Sequence, residues 1–412
     1  MERTIVGIDV GTTKICTLVG EATDNELRIV GVGVAPARGI KKGVVVNVVD
    51  AASAIKASIE KAERSSGYEI ARAFVSVSGA HINAINSRGV VGVSRGDKGI
   101  TGEDVGRALE AARAIAIPQD REVLHVIPRG YTIDGQDGVK EPIGMSGFRL
   151  EVEAHIVTGQ TSSIHNLLKC VETCNVGVDG LVLNPIASGT AVLTDNEKEM
   201  GVVLADIGGG TTDIAIFIEG SVWHTTVLAV GGAHITNDVA VGLRVPAEAA
   251  EQLKIEHGHA RFETIDPTEV VQVKAFGDGG VTRVQRRDLA EIIEARADEI
   301  FQLILQEIKR SGYDGLLPAG VVVTGGTAQM RGLRELGRQV LGLPVRIGQP
   351  QSISGLIDTV DSPAYATPVG LLLWGRDQAE QPILGSDKHN DRPVWGDRLS
   401  SFFKKLLPDR NS

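Results

Sequence analysis

Two acid-tipped glycine turns carry the residues whose types and spacing could do chemistry. Asp206-Ile207-Gly208-Gly209-Gly210-Thr211-Thr212-Asp213 sits between two apolar runs, Val202 to Ala205 before it and Ile214 to Ile218 after it. The pattern reads as strand, tight turn, strand. Three glycines allow the backbone to bring bare N–H groups close to an anion. The threonines add hydroxyl donors, and Asp206 at the strand end can hold a hydrated cation. A triphosphate with Mg²⁺ suits such a set. An ordinary glycine hairpin would look the same if the motif occurred once. It occurs twice: Ile8-Asp9-Val10-Gly11-Thr12-Thr13-Lys14 repeats it about 200 residues earlier.

The elements around the turns repeat as well. Each turn is followed by a third apolar run and then a helix pattern. Each half later carries a further strand, Phe74 to Ser78 ending at Gly79 and Val321 to Thr324 ending at Gly325-Gly326. Two similar α/β halves, each with a phosphate-type hairpin, imply a nucleotide clamped in the cleft between them. This arrangement resembles the actin and heat-shock-chaperone ATPase superfamily. The resemblance implies an α/β, actin-like duplicated ATPase fold, with two lobes around a nucleotide cleft, and ATP with Mg²⁺ as ligand. It places Gly11, Thr12, Thr13 and Lys14 on one side of the phosphates and Gly208, Gly209, Gly210, Thr211 and Thr212 on the other. Asp9 and Asp206 then face Mg²⁺ through water. Gly231 and Gly232 end the third strand of the second half. Glu251 and Lys254, three apart on a helix opened by Pro246, read either as a surface ion pair or as ribose and adenine contacts. Gly325 and Gly326 offer bare backbone to a base.

Composition narrows the classes. A 412-residue chain with 42% hydrophobic content can bury a large core, so two lobes are feasible. A net charge of −10 leaves no large basic field for nucleic acid, which is not an expected partner. Cys16, Cys170 and Cys174 are too few for a disulfide framework and fit a reducing compartment. The latter two read as helix packing residues. The chain starts directly into a strand, so no leader is expected, and no run reaches the roughly 18 apolar residues of a membrane span.

Residues 81–160 break the repeat and read as an insertion. They hold a short strand at Val90 to Val93, a helix capped by Thr101 with Asp104 three residues on, and a strand-rich stretch. His125 and His155 within it read as packed, hydrogen-bonded histidines rather than metal ligands. Residues 4–50 read as three strands and Ala51 to Ser65 as a helix with Ala54, Ile55, Ser58, Ile59 and Ala62 on one stripe. A helix capped by Thr161 returns to the first half. A long helix from Arg287 to Arg310 follows in the second half, and 363–375 forms the last helix of the body.

The insertion, the wording of Leu124-His125-Val126-Ile127-Pro128 and of Pro142 to Gln160, and the tail described below together resemble the FtsA family of bacterial division proteins. The likeness covers about 4–375 and the tail. It implies four subdomains: 1A (1–80, 161–200 and 346–375), 1C (81–160), 2A (201–230 and 316–345) and 2B (231–315). It implies head-to-tail self-association into filaments, a C-terminal FtsZ peptide bound on 2B, and contacts with later division proteins. Arg286, Arg287 and Arg296, at or near the start of the long helix, become candidates for carboxylates on that peptide. One position departs from the hydrolases: Asn184 stands where actin-like enzymes place Glu or Gln to position water. Nucleotide binding with slow or negligible hydrolysis is therefore expected. A small-molecule kinase of the same superfold and a pilus-assembly ATPase relative are the alternatives.

Beyond 375 the composition changes. Residues 376–393 read as a polar linker spanning roughly 23 Å as a flexible coil. Residues 394–410 read as an amphipathic helix, with Trp395, Leu399, Phe402, Phe403, Leu406 and Leu407 on one side and Lys404 and Lys405 on the other. Such a helix lies in the interface of an anionic membrane rather than crossing it. A peripheral protein on the cytoplasmic face of the cell membrane, at the division site, is the expectation.

Overall fold

A computed structural model describes residues 3–23, 26–94, 98–115, 117–274, 276 and 280–379. The terminal helix expected over 394–410 lies outside the described residues. The duplication read from the sequence is visible in two sheets of matching order. In the first, Leu27–Pro36, Lys14–Ala22 and Arg3–Val10 form an antiparallel meander, continued by Arg72–Val77 and Gly177–Leu183, parallel to Arg3–Val10. In the second, Ser221–Leu228, Thr212–Ile218 and Val202–Ile207 form the meander, continued in parallel by Val321–Thr324 and Val345–Ile347. The short pair Ser354–Gly355 extends the first sheet at its edge.

The central strands are apolar on both faces because helices cover both. Every residue of Val202–Ile207 and Thr212–Ile218 is buried. In the first lobe Ile8, Ile15 and Leu18 are fully buried, and each such side chain contributes about 1.5–3 kcal/mol relative to exposure. The helix Val48–Ser66 packs its stripe of Ala54, Ile55, Ser58, Ile59 and Ala62 on this sheet. It starts at Asn47, whose side chain accepts the Val49 and Asp50 N–H groups, and stops at Gly67 with φ 77°. In the second lobe the helix Arg286–Ser311 buries Leu289, Ile293, Ile300, Ile304 and Ile308, joined by Ala297 and Phe301.

The insertion forms its own four-stranded antiparallel sheet, in the order Ile82–Gly92, Arg149–Gln160, Arg121–Ile133, Gln136–Val139. The helix Gly102–Arg113 covers it. Thr101 and Asp104 close the capping box at its start, and Val105, Ala108, Leu109 and Ala112 pack within the insertion's core beside Leu150, Val152, Ala154 and Ile156.

Several boundaries differ from the sequence expectation. The strand expected at 90–93 runs from Ile82 to Gly92, because pairing with Arg149–Gln160 extends it through the polar stretch Asn83 to Arg88. Thr161 is not a cap. Gln160 occupies that position without a side-chain hydrogen bond, and the Thr161 N–H donates to the Asp120 carbonyl. The last helix is Ala366–Ala379, so it continues four residues into the stretch expected as linker. Among the described residues, no helix is long and apolar enough to cross a membrane.

Candidate functional site

Both sheets present the carboxyl ends of their parallel strands toward each other, the edge where open α/β sheets bind ligands. Asp9 and Asp206 are each the penultimate residue of the first strand of their half. In its hairpin Asp9 lies opposite Cys16, whereas Asp206 lies opposite Asp213. The duplication is therefore uneven: acid faces thiol in one copy and acid faces acid in the other.

All three carboxylates are buried and held by hydroxyls. The Ser76 hydroxyl donates to Asp9 at 2.8 Å and accepts the Val10 N–H at 2.9 Å. The Thr367 hydroxyl donates to Asp206 at 2.9 Å. Asp213 accepts from Ser78 at 2.5 Å and from Thr211 at 2.9 Å. Burial raises the pKa of Asp9, against the opposing pull of Ser76 and the Lys14 charge. Burial also raises Asp206 to about 6, helped by the Asp9 charge and opposed by the Thr367 and Ser188 hydroxyls. Asp213 rises to about 7, through burial and then the charge of Asp206. Among the described residues no group of three His, Cys, Asp or Glu side chains could ligate a metal ion directly. Two acids plus water and phosphate oxygens are nevertheless a normal Mg²⁺ environment.

This cluster has a pH signature. A carboxyl whose folded pKa lies above its unfolded value binds more protons when folded, so it destabilises the folded state as pH rises between the two values. With Asp213 raised from 3.8 to about 7, the ligand-free protein should lose stability between about pH 4 and pH 7. Asp213→Asn is expected to flatten that slope in thermal melts recorded across the window. An unchanged slope would mean Asp213 is ionised throughout.

The two hairpins lie directly against one another. A Cβ on Gly209 would overlap Thr13 Oγ1, and one on Gly210 would lie 2.6 Å from Thr12 Oγ1. Only glycine permits this approach. Several of the expected phosphate donors are engaged within the protein. Thr212 Oγ1 donates to the Val230 carbonyl, Thr12 Oγ1 accepts the Gly43 N–H, and Thr211 is held by Asp213. The Lys14 ammonium sits 3.7 Å from the centroid of the Tyr365 ring. The Gly231 N–H donates to His234, and the N–H groups of Gly232 and Ala233 donate to the Gly208 and Gly209 carbonyls. Thr327 donates to the same Gly208 carbonyl at 3.0 Å. Gly325, at φ 87°, packs so closely on Asp206 that a Cβ would overlap its carboxylate; Gly326 follows in the same turn. Lys254 bonds Glu251 at 2.7 Å, Thr236 at 2.8 Å and the Gly232 carbonyl at 3.1 Å. That last bond places the Glu251–Lys254 pair beside the turn at Gly231-Gly232.

Asn184 opens the helix Asn184–Val192, directly after the strand Gly177–Leu183 of the first sheet. Its Oδ1 is buried and accepts no hydrogen bond among the described residues. Sequence reasoning assigned no role to Asp213, Ser76, Ser78, Ser188 or Thr367. The alternation Phe74-Val75-Ser76-Val77-Ser78 was a usable signal, since period two puts both serines on one face of the strand.

The arginines proposed for a partner peptide are largely consumed. Arg286 makes a two-pronged pair with Glu269 at 2.9 Å and also donates to the His257 carbonyl. Arg296 holds Asp238 at 2.5 and 3.1 Å and Glu299 at 2.6 Å. Arg287 lies 5.5 Å from the Phe262 ring. Arg286 and Arg296 are thus each tied within the protein, so a peptide carboxylate would have to share or displace these pairs. Arg296→Ala should lower stability by about 1–3 kcal/mol by stranding Asp238. A melting temperature equal to the parent's would return Arg296 to the surface. The histidines are also internal. His155 bridges Asn86 at 2.7 Å and Thr225 at 2.9 Å, and His125 accepts the Leu183 N–H at 3.1 Å.

Comparison with known proteins separates fold from family. A chain of a PilM–PilN type IV pilus biogenesis complex superposes with a TM-score of 0.66 at 16% identity, covering 90% of this chain and 98% of that one. MreB5 of Spiroplasma citri bound to ADP superposes at 0.57 with 13% identity, covering 92% and 99%. At such identities the likeness shows an actin-like fold and no more. The model of the cell division protein FtsA matches residues 203–370, and that of the SHS2 domain inserted in FtsA matches 79–158, the four-stranded insertion. The cell division protein FtsA of Pseudomonas aeruginosa is 45% identical over 396 residues, 95% of this chain and 94% of its own. With the duplicated sheets, the insertion within the first of them and this identity along nearly the whole length, the chain belongs to the FtsA family of cell division proteins.

Proposed function

We propose that this chain is a nucleotide-binding, actin-like division protein that polymerises and tethers FtsZ filaments to the inner face of the cytoplasmic membrane. The observation that carries the nucleotide reading is the pairing of Asp9 and Asp206 at equivalent strand ends, buried, hydroxyl-held and flanked by glycine hairpins. A cation between them would offset the burial that raises both pKa values and, at Asp206, the Asp9 charge that adds to it. Asp9 and Asp206 would hold hydrated Mg²⁺, and Gly11 to Lys14 with Gly208 to Thr212 would hold the phosphates of ATP. Gly231-Gly232, the Glu251–Lys254 pair and Gly325-Gly326 would line the nucleoside side. Because Thr12 and Thr13 press on Gly210 and Gly209, the hairpins must part before phosphate enters.

Bound Mg²⁺ would supply charge neutralisation at the phosphates; this chain's residues supply position. Asn184 carries no base, and its amide is one methylene shorter than that of Gln, so water placement is poor. Misplacement of about 1 Å can cost on the order of 10²-fold in rate. Single-turnover hydrolysis should therefore be slow, and Asn184→Gln should raise it. A brisk parental turnover would assign water positioning to another residue.

The division into 1A, 1C, 2A and 2B, filament formation, FtsZ-peptide binding on 2B and peripheral attachment through 394–410 belong to the same proposal. Co-sedimentation with anionic vesicles, with and without residues 395–412 and with ATP and an FtsZ tail peptide, tests it. Vesicle binding that ignores the tail, or no peptide binding at all, would remove those parts.

A further inference from the structure

The inserted domain is tied covalently to one lobe and clamped non-covalently to the other. Its two crossovers, between Val77 and Ile82 and at Gln160-Thr161, both belong to the first lobe. Arg121 binds them together, donating to the His81 carbonyl at 2.8 Å and to the Thr158 carbonyl and hydroxyl at 3.0 Å. Its strands Ile82–Gly92, Arg121–Ile133 and Arg149–Gln160 also meet the outer strand Ser221–Leu228 of the second lobe.

Ser221, Trp223 and Thr225 all reach the insertion, and the strand is irregular at Trp223, where the pairing skips from Val222 to His224. Ser221 donates to the Pro128 carbonyl at 2.6 Å, and Thr225 bonds His155 at 2.9 Å. The Arg129 guanidinium lies 4.1 Å from the Trp223 ring and 5.6 Å from the Tyr313 ring, which themselves meet edge to face at 5.4 Å. Asn86 joins the His155 ring, the Trp223 carbonyl and the Tyr313 hydroxyl. The Arg129 side chain is only 9% exposed, so its cation–π contacts are largely desolvated and correspondingly strong. Lys140 also pairs with Glu199, in the stretch assigned above to the first lobe and so outside this clamp.

The clamped strand is also the neighbour of the candidate phosphate hairpin. Val227 pairs with Asp213 and Leu228 with Thr212. Asp213 in turn accepts from Ser78 of the first lobe, at the root of the insertion. Clamp and cleft are thus two ends of one short strand pair.

We propose that the inserted domain is a strap across the two lobes: the clamp of Arg129, Asn86 and His155 on Trp223, Thr225 and Tyr313 holds the two glycine hairpins together and limits their parting. Loosening the clamp opens the hairpins, and parting the hairpins strains the clamp, since coupling between two sites is reciprocal. Whatever grips the inserted domain therefore regulates access to the cleft. This last consequence rests on the nucleotide reading above; the strap itself does not.

Hydrogen exchange of the full chain without nucleotide tests it, comparing the parent with Arg129→Ala and, separately, Asn86→Ala. Amides in 11–14 and 208–213 should exchange about 5- to 10-fold faster in both variants, as expected for loss of one desolvated cation–π or bridging contact. Amides of the central strands, such as those of Leu18 and Val322, should keep the parental rate. Parental exchange at the hairpins in both variants would overturn the strap. So would a uniform quickening of every protected amide, which marks general destabilisation. Release of a fluorescent ATP analogue with Mg²⁺ should quicken by the same factor. If the parent binds no analogue, the nucleotide reading fails while the exchange data still decide the strap.

Discussion

Asp206→Ala should weaken Mg-ATP binding by on the order of 10- to 100-fold, the usual cost of removing a group that orients a metal through its water shell. The carboxylate is buried, fixed by the Thr367 hydroxyl and close enough to Asp9 for their charges to interact. Its removal leaves Asp9 as the acid beside Lys14 and takes away the charge that lifts Asp213. Asp213 should then ionise more readily and partly substitute, which sets the upper limit of the loss. Calorimetric titration with and without Mg²⁺ separates the causes. The parent and variant should differ strongly with the metal and little without it. Equal affinities in Mg²⁺, with melting temperature preserved, would remove Asp206 from the site.

Phe402→Glu together with Leu406→Glu should abolish recovery with anionic vesicles while leaving ATP affinity unchanged. These residues lie outside the described structure, so the expectation rests on the sequence. From Trp395 to Leu407 a helix would span about 20 Å, short of the roughly 30 Å hydrocarbon core. It would therefore lie in the interface rather than cross the core. Each large apolar side chain contributes about 1.5–3 kcal/mol when buried, so losing two reduces partitioning by roughly 10²-fold or more. Lys404 and Lys405 add about 1 kcal/mol each against anionic lipid, so added salt should weaken the parent's binding. A single short helix would bind reversibly, and polymerisation would multiply that binding through effective concentration. The double variant floating with vesicles as well as the parent does would show that the anchor is elsewhere.

How much was legible in the sequence depends on distance along the chain. Both hairpins were readable because turn chemistry is local: acid, glycines and threonines sit within eight residues of one another. The Thr101–Asp104 cap, the stripe on Val48–Ser66 and the extent of the long helix Arg286–Ser311 were readable because helix period is local too. Thr161 misled because its hydroxyl suits a cap, while the backbone of Asp120 claimed its N–H instead. The arginines show the same limit of local reading. A charge run on a helix shows a charged face, but Glu269 and Asp238, 17 and 58 residues away, were needed to show that Arg286 and Arg296 were already paired.

By itself the sequence determined two repeated α/β halves, an insertion between the first half's strands, and the acids at the tips of both hairpins. The tertiary structure alone decided what those acids face. Ser78 meets Asp213 across 135 residues, Thr367 meets Asp206 across 161, and Arg129 finds Trp223 on another sheet. Nothing in local propensity encodes such pairs. They exist because two apolar sheets, once each is buried by its helices, can bring their strand ends together only in one register, and the polar groups caught there must satisfy one another.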